Sequence, residues 1–413
     1  MRAVAYDEHG HAEPGDARIT TTTRNADELV DACRAVLSHV GEGDAVAISC
    51  FWHSLLPVDA HERPLSHVLM WSDVAAGEPP SLDPVSYHAR TGCFLHPSFW
   101  PLKLGGMRGA RYLSFPDYLL LRLTGELRTS VSMASGTGLF DPNRRDWDDE
   151  TLAAVGVERS RLAPVADEPV AGVWPALGDG CCSNVGAGAT RRDRAAVTVG
   201  TSAAMRVLYD TERVAPRDGL FLYRLDEHRF CEGGALSDGG NLHAWIDRTL
   251  MPFDDAELAE RPAAGHGLVF LPFLGGERAL GWNAKRRGIL RGLTFATTPL
   301  DIAQAAIEGV CYRLADVYDA IGGIESVVAT GGALFADRAW VQILADVLGR
   351  PVEVSAVPEG SARGAAIVVL GRLGVEVPPA PVESVVEPRL ERHEIHLAAR
   401  KEHLLTMQFD EED

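Results

Sequence analysis

The sequence has no Cys-x-x-Cys pair, no apolar run of membrane-spanning length, no excess of positive charge and no detectable internal repeat. Each absence excludes something. The seven cysteines, Cys33, Cys50, Cys93, Cys181, Cys182, Cys231 and Cys311, are odd in number and scattered through apolar segments. That pattern argues against zinc or a disulfide framework and for buried thiols in a reducing cytoplasm. A bilayer helix needs about 20 consecutive apolar residues, and the N-terminus lacks the layout of a secretory signal. A net charge of −19 would be repelled by nucleic-acid phosphates or an anionic membrane surface, so the expected partners are small molecules held in local pockets.

What is present is enough for a large core. The 413 residues are 46% hydrophobic and 23% charged, which suits two globular domains. Strand and helix patterns alternate as in α/β folds. Asn25 to Val40 carries Leu29, Val30, Cys33, Val36, Leu37 and Val40 on one helical face before Gly41, and Ala45 to Ser49 follows as a strand. Pro116 to Thr124 and Pro299 to Ile321, closed by Gly125 and Gly322, are further helices. The polar run Arg191 to Arg194 precedes a new strand and places a domain break near residue 190. The expected units are 1–190, 191–376, and a tail, 377–413, made of a proline-containing linker from Pro378 to Pro388, a helix from Leu390 to Met407 and an acidic end, Asp410 to Asp413.

Three glycine-rich turns each follow an apolar run that reads as a buried strand: Leu177-Gly178-Asp179-Gly180, Val199-Gly200-Thr201-Ser202 and Ala329-Thr330-Gly331-Gly332-Ala333. In the second, the strand Ala196 to Val199 delivers a glycine and two hydroxyl residues, an open backbone whose N–H groups can meet phosphate oxygens. In the third, after Val327 to Thr330, paired glycines let a flat group such as adenine or ribose approach the main chain. Trp340, Ile343, Leu344, Val347 and Leu348 then mark a helix that ends at Gly349. Any one such turn is more often an ordinary surface turn; three in this order point to a nucleotide site.

Several motifs resemble the FGGY carbohydrate kinases. Gly288-Ile-Leu-Arg-Gly-Leu, followed after seven residues by Asp301-Ile-Ala-Gln-Ala-Ala-Ile-Glu308, is similar to that family's C-terminal signature. Phe270 to Arg278, with its Glu277-Arg278 pair, and Ala333 to Pro351, with its Gln342-Ile-Leu-Ala-Asp core, also resemble it. The match runs from Arg2 to about Gly374. Phe99-Trp-Pro-Leu-Lys103 and Gly233 to Trp245 look most like the gluconate kinase branch. The resemblance implies a two-domain ribonuclease H-like/actin-like ATPase fold with a cleft between the domains. It also implies ATP and Mg²⁺ as cofactors, a sugar or sugar acid as partner, and a cytoplasmic enzyme, with a homodimer carried as an expectation.

Phosphoryl transfer needs a group to take the proton of the attacking hydroxyl, support for the transferred phosphoryl and exclusion of water. Asp179 matches the family's catalytic aspartate, although Gly178-Asp179-Gly180 alone reads equally as a tight turn. No metal ligand is firmly assigned; Asp179 could meet the metal only through Mg-ATP. The resemblance implies phosphate contacts from Gly200, Thr201 and Ser202, a position near the nucleotide for Gly240, and an adenosine contact for Gly331 and Gly332. Trp52-His53 matches the substrate-contact pair, and Trp71-Ser72-Asp73 resembles the Trp-x-Asp element. His53 and Asp73 would fix hydroxyls while a tryptophan covers a carbon face, and Lys103 would meet a substrate carboxylate, against the default of a solvent-facing lysine.

Two departures qualify the match. Ala75 stands where relatives commonly place an arginine, which leaves the substrate open between gluconate, xylulose or another pentulose, and glycerol. The family's opening Asp-x-Gly-Thr phosphate loop would lie ahead of Arg2 to Asp7, so a misread start codon is expected, with a non-catalytic sugar- or nucleotide-binding remnant as the competing account.

Overall fold

A computed structural model describes all residues except 74–79, 251, 252, 254, 333, 335–337 and 410–413. In the N-terminal half, helix α1 (Ala26–Val40) starts where the Asn25 side chain accepts the N–H groups of Asp27 and Glu28, and it buries Ala26, Val30 and Val36. The strand expected at Ala45 to Ser49 is shorter and displaced. Strand β1 (Ser49–Cys50) runs parallel to β2 (Leu177–Gly178), with Val46 bridging Val173. Helix α2 (Phe115–Thr124) opens on a capping box between Ser114 and Asp117 and closes on Gly125 in a left-handed conformation, the geometry glycine adopts at least cost. Helix α3 (Asp179–Gly186) follows β2 directly.

The C-terminal half is organised by one seven-stranded sheet. Strands β3 (Arg194–Val199), β4 (Ala203–Asp210), β5 (Phe221–Arg224) and β6 (Arg229–Ala235) are followed by α4 (Gly240–Thr249) and α5 (Pro299–Ile321). Then come β7 (Ser326–Thr330), α6 (Arg338–Leu348), β8 (Val352–Ser355), α7 (Gly360–Arg372), β9 (Val382–Val386) and α8 (Leu390–Phe409). The sheet order is β5-β6-β4-β3-β7-β8-β9. β3, β4, β6 and β5 pair antiparallel, whereas β7 lies parallel to both β3 and β8. The long helix α5 matches the expected Pro299 to Ile321, capped by Thr298 and Asp301, and packs Ala306, Val310 and Leu314 into the same cluster as Val197 and Met205.

One expectation is overturned. The segment read as a linker holds β9, an edge strand antiparallel to β8, and α8 buries His396 and His403 against the same half. Prolines flank this strand without interrupting it, as edge strands tolerate. Val382–Val386 is therefore part of the C-terminal sheet.

The halves meet where α3 crosses α7 with almost no side chain between them. A Cβ on Gly186 would lie 1.9 Å from the Gly360 carbonyl oxygen, and one on Gly364 would lie 1.8 Å from that of Cys182. Buried Arg363 ties the crossing together by donating to the carbonyls of Gly186 at 3.0 Å and Gly10 at 3.1 Å.

Candidate active site

Asp179 is the first residue of α3, and its Oδ1 accepts the Gly180 N–H at 2.8 Å. Solvent reaches the residue, yet the protein packed around it raises its carboxyl pKa, an effect opposed by Arg206 and, more weakly, by Arg278. The flanking glycines have a steric cause. A Cβ on Gly178 would fall 1.9 Å from the indole of Trp52, one on Gly180 would fall 2.8 Å from it, and one on Gly136 would fall 2.5 Å from it. Trp52 is thus a slab beneath Asp179, fixed by its Nε1–H bond to the Ser132 carbonyl at 3.0 Å. It forms the floor of the site, where a carbon-face contact had been expected.

His53 adopts a positive φ of 67°, and its Nδ1 lies 2.6 Å from the Gly136 carbonyl oxygen. A carbonyl only accepts, so Nδ1 carries the hydrogen and Nε2 presents a lone pair. Burial, reinforced by Arg278, holds the imidazole pKa well below its usual value, which keeps the ring neutral. Asp73 is already occupied: it takes both oxygens to Arg24 at 2.6 and 2.8 Å and accepts the Met70 N–H at 2.7 Å. Lys103, far from solvent-facing, is 1% exposed and donates to the carbonyls of Met70 at 2.5 Å and His53 at 3.4 Å. Burial lowers its pKa to about 7. These two charged side chains brace the loops that carry His53 and Trp71. Ala75 and Ala333 lie outside the described residues.

Arg278 is the member that the sequence reading quoted within a motif and gave no role. Its guanidinium lies 5.0 Å from the Trp71 ring and 5.8 Å from that of Trp282. It is buried, its Nε has no hydrogen-bond partner, and it makes no ion pair among the described residues. Burial lowers its pKa to about 10, so it stays charged at neutral pH. The Tyr223 hydroxyl, close enough to act on it electrostatically, is also buried without a partner. Two orphaned polar groups in one aromatic-lined place are what a polar ligand would satisfy.

The glycine turns of the C-terminal half converge. Thr330 is paired with Thr198 across β7 and β3, and a Cβ on Gly331, at φ 101°, would lie 2.7 Å from the Val199 carbonyl oxygen. The Gly240 N–H donates to Gly200 O at 2.8 Å and the Asn241 N–H to Thr201 O at 3.0 Å. Gly200 and Gly332 face open space, and the N–H groups of Thr201 and Ser202 have no acceptor among the described residues. That donor set fits phosphate oxygens. Asp238, beside this turn and 2% exposed, accepts the N–H groups of Leu274 and Gly275, and burial pushes its pKa to about 7. Among the described residues no three His, Cys, Asp or Glu side chains gather as a metal cage.

Residues 107–170 match the N-terminal domain, and 195–370 the C-terminal domain, of the FGGY family of carbohydrate kinases. A glycerol kinase of Methylobacterium nodulans is 30% identical over 419 residues, covering 88% of this chain and 82% of that protein. The chain belongs to the FGGY family of carbohydrate kinases. A gluconokinase of Bacillus subtilis is 28% identical to the kinase over 415 residues, covering 86% of this chain and 80% of that protein. The crystal structure of a gluconate kinase from Lactobacillus acidophilus superposes with a TM-score of 0.85 at 24% identity, covering 98% of this chain and 95% of that one. The fold is therefore the two-domain ribonuclease H-like/actin-like ATPase fold expected from the sequence, and the activity is transfer of a phosphoryl group from ATP to a carbohydrate hydroxyl. No described helix is long and apolar enough to cross a membrane.

Proposed function

We propose that the kinase phosphorylates a sugar acid, gluconate or a close relative, at a terminal hydroxyl, with Mg-ATP as donor and in the cytoplasm. The observation that carries this reading is the buried guanidinium of Arg278, whose Nε has no hydrogen-bond partner and which makes no ion pair among the described residues. Arg206 and Arg278 both act on Asp179, whereas Asp73 is held by Arg24. A buried cation without a partner is costly, and a substrate carboxylate supplies the partner through charge-assisted hydrogen bonds. A neutral polyol leaves that cation unmatched.

The remaining roles follow from the geometry. Neutral His53 would accept from a sugar hydroxyl at Nε2, and Tyr223 would offer its hydroxyl. Asp179, water-accessible above the Trp52 slab, would take the proton of the attacking hydroxyl. A carboxyl pKa raised by burial, an effect opposed by Arg206 and Arg278, makes it a stronger base than a freely solvated aspartate. The Gly200, Thr201 and Ser202 turn, with Gly240 beside it, would hold phosphates, and Gly331 and Gly332 would border adenosine. Magnesium suits a site with few protein carboxylates because it binds largely through phosphate oxygens and water; Asp179 is the carboxylate available to it.

The test is ADP release measured with gluconate, xylulose, ribulose and glycerol. Gluconate is expected to give the highest kcat/KM, and Arg278→Met to erase that preference. A kcat/KM for glycerol or a pentulose equal to that for gluconate would overturn the reading.

A further inference from the structure

Arg278 sits on a loop whose back faces a cavity instead of a core. A space of about 500 Å³ opens between that loop, α5 and α8, bordered by Glu277, Gly281, Arg313, Asp316, Arg400 and Met407. Packing alone therefore does not fix where the Arg278 guanidinium lies; polar contacts do. Arg313, from the middle of α5, brackets the residue. Its Nη2 donates to Glu277 Oε1 at 2.9 Å and to the Ala279 carbonyl at 3.0 Å, one neighbour on either side of Arg278. Arg286 Nη1 donates to the other Glu277 oxygen at 2.7 Å. The Gly281 N–H reaches back to Glu277 Oε1 at 3.3 Å, and a Cβ on Gly281 would run into that carboxylate. The loop is wound round one buried carboxylate, and the same loop carries Arg278 to Trp71 and Trp282 to the Arg278 carbonyl, whose oxygen accepts the Trp282 N–H at 2.6 Å. Arg313 is anchored in turn by Asp316 at 2.7 Å, which Arg400 of α8 holds at 2.6 and 2.8 Å.

We propose that Arg313 is a positioning residue for sugar recognition, holding the Arg278 guanidinium at Trp71 by gripping the chain on both sides of it. This rests on the reading of Arg278 as the group that meets the substrate carboxylate. A buried Arg–Glu–Arg triad is seldom worth more stability than apolar residues of the same volume. What Arg313 adds is a fixed geometry at the two peptide units flanking Arg278. A guanidinium–carboxylate contact tolerates little displacement, so slack in this loop weakens sugar-acid binding. Transfer itself is affected less, because Asp179 stands on a different element, α3.

The experiment has two readouts, both on the whole chain. The first needs no substrate: the ¹H–¹⁵N resonance of the Arg278 Nε–H, assigned by its loss in Arg278→Lys, is compared between wild type and Arg313→Met. It is expected to move or broaden while that of Arg363, at the helix crossing, stays in place; an unmoved Arg278 resonance overturns the proposal. The second is kinetic. Arg313→Met is expected to raise KM for gluconate by ~10-fold, with kcat and KM for ATP changing less than about threefold. Arg313→Lys, which keeps a cation beside Glu277, should recover part of the loss. A fall in kcat with an unaltered KM for gluconate marks a merely structural residue and overturns the proposal. If Arg278→Met also leaves that KM unaltered, the sugar-acid reading falls by itself, and the resonance alone decides whether Arg313 positions Arg278. Should Arg313→Met fail to fold, Glu277→Gln weakens the same grip with its shape kept, and an unmoved Arg278 resonance there overturns the proposal equally.

Discussion

The two halves of the kinase place their functional groups in different ways. In the N-terminal half the strands are two or three residues long, β1 and β2 among them, and the candidate site side chains are held by one or two hydrogen bonds each: Trp52 on the Ser132 carbonyl, His53 on that of Gly136, Lys103 on those of Met70 and His53. In the C-terminal half, β3 and β4 are six and eight residues long, and the binding groups proposed there are backbone amides in turns at the strand ends. A rigid sheet suits a ligand common to a whole family, because main-chain donors do not depend on residue identity. A side-chain lattice suits a ligand that must be told apart from its neighbours, because each contact can be changed singly.

The largest effect should come from Asp179→Asn. It is expected to lower kcat by ~10²–10⁴-fold while ATP binding, measured by calorimetry, changes little; normal turnover would remove Asp179 from its role. Next comes Arg278→Met, for which a KM for gluconate higher by ~10–100-fold is expected. Thermal stability should be unchanged or higher, since an unpaired buried charge is removed; a large fall in Tm with an unaltered KM would make Arg278 structural. A paired glycine experiment tests the contrast between halves directly. Gly178→Ala meets Trp52 and should destabilise by ~1–3 kcal/mol, whereas Gly332→Ala enters open space and should move stability by less than ~0.5 kcal/mol. Only the second should raise KM for ATP without loss of Tm, and the reverse pattern would refute the division of labour.

A pH-dependent effect is expected at Asp238. Its native carboxyl pKa, about 7, lies above the unperturbed 3.8, so the native state binds the extra proton between those values. Wild-type stability therefore declines as pH rises from about 4 to about 7, by at most ~1.4 kcal/mol per unit, and then levels off. The Tm advantage of Asp238→Asn should widen across that window, and parallel curves for the two proteins would show that the carboxyl titrates normally.

Much of the fold was legible because its signals are local. Pro299 to Ile321 announces itself by its cap and apolar spacing, and Gly125 and Gly349 stop helices where expected. The edge strand Val382–Val386 was not legible. Its residues are mostly exposed, so burial leaves no alternation to read, and the prolines around it look like a linker. The glycine turns could be found from sequence, and at Gly178, Gly180 and Gly331 close neighbours leave no room for a side chain. Roles that depend on distant partners could not. Trp52 is a floor because of Gly136 and Gly178, far along the chain, and Asp73 is taken by Arg24 from before α1. Arg313 reads from the sequence only as one residue of a long helix, and its grip on Glu277 and Ala279 appears only in three dimensions.

The bare crossing of α3 and α7 gives the kinase a mechanical property. Asp179 is numbered in the first half, but its helix is seated backbone to backbone against one from the second, with no cushion of rotatable side chains between. Displacement of α7 is therefore transmitted to the carboxylate without slack, as through meshed gears. With Gly178 and Gly180 seated on Trp52 at its other side, the first turn of α3 is gripped by both halves at once.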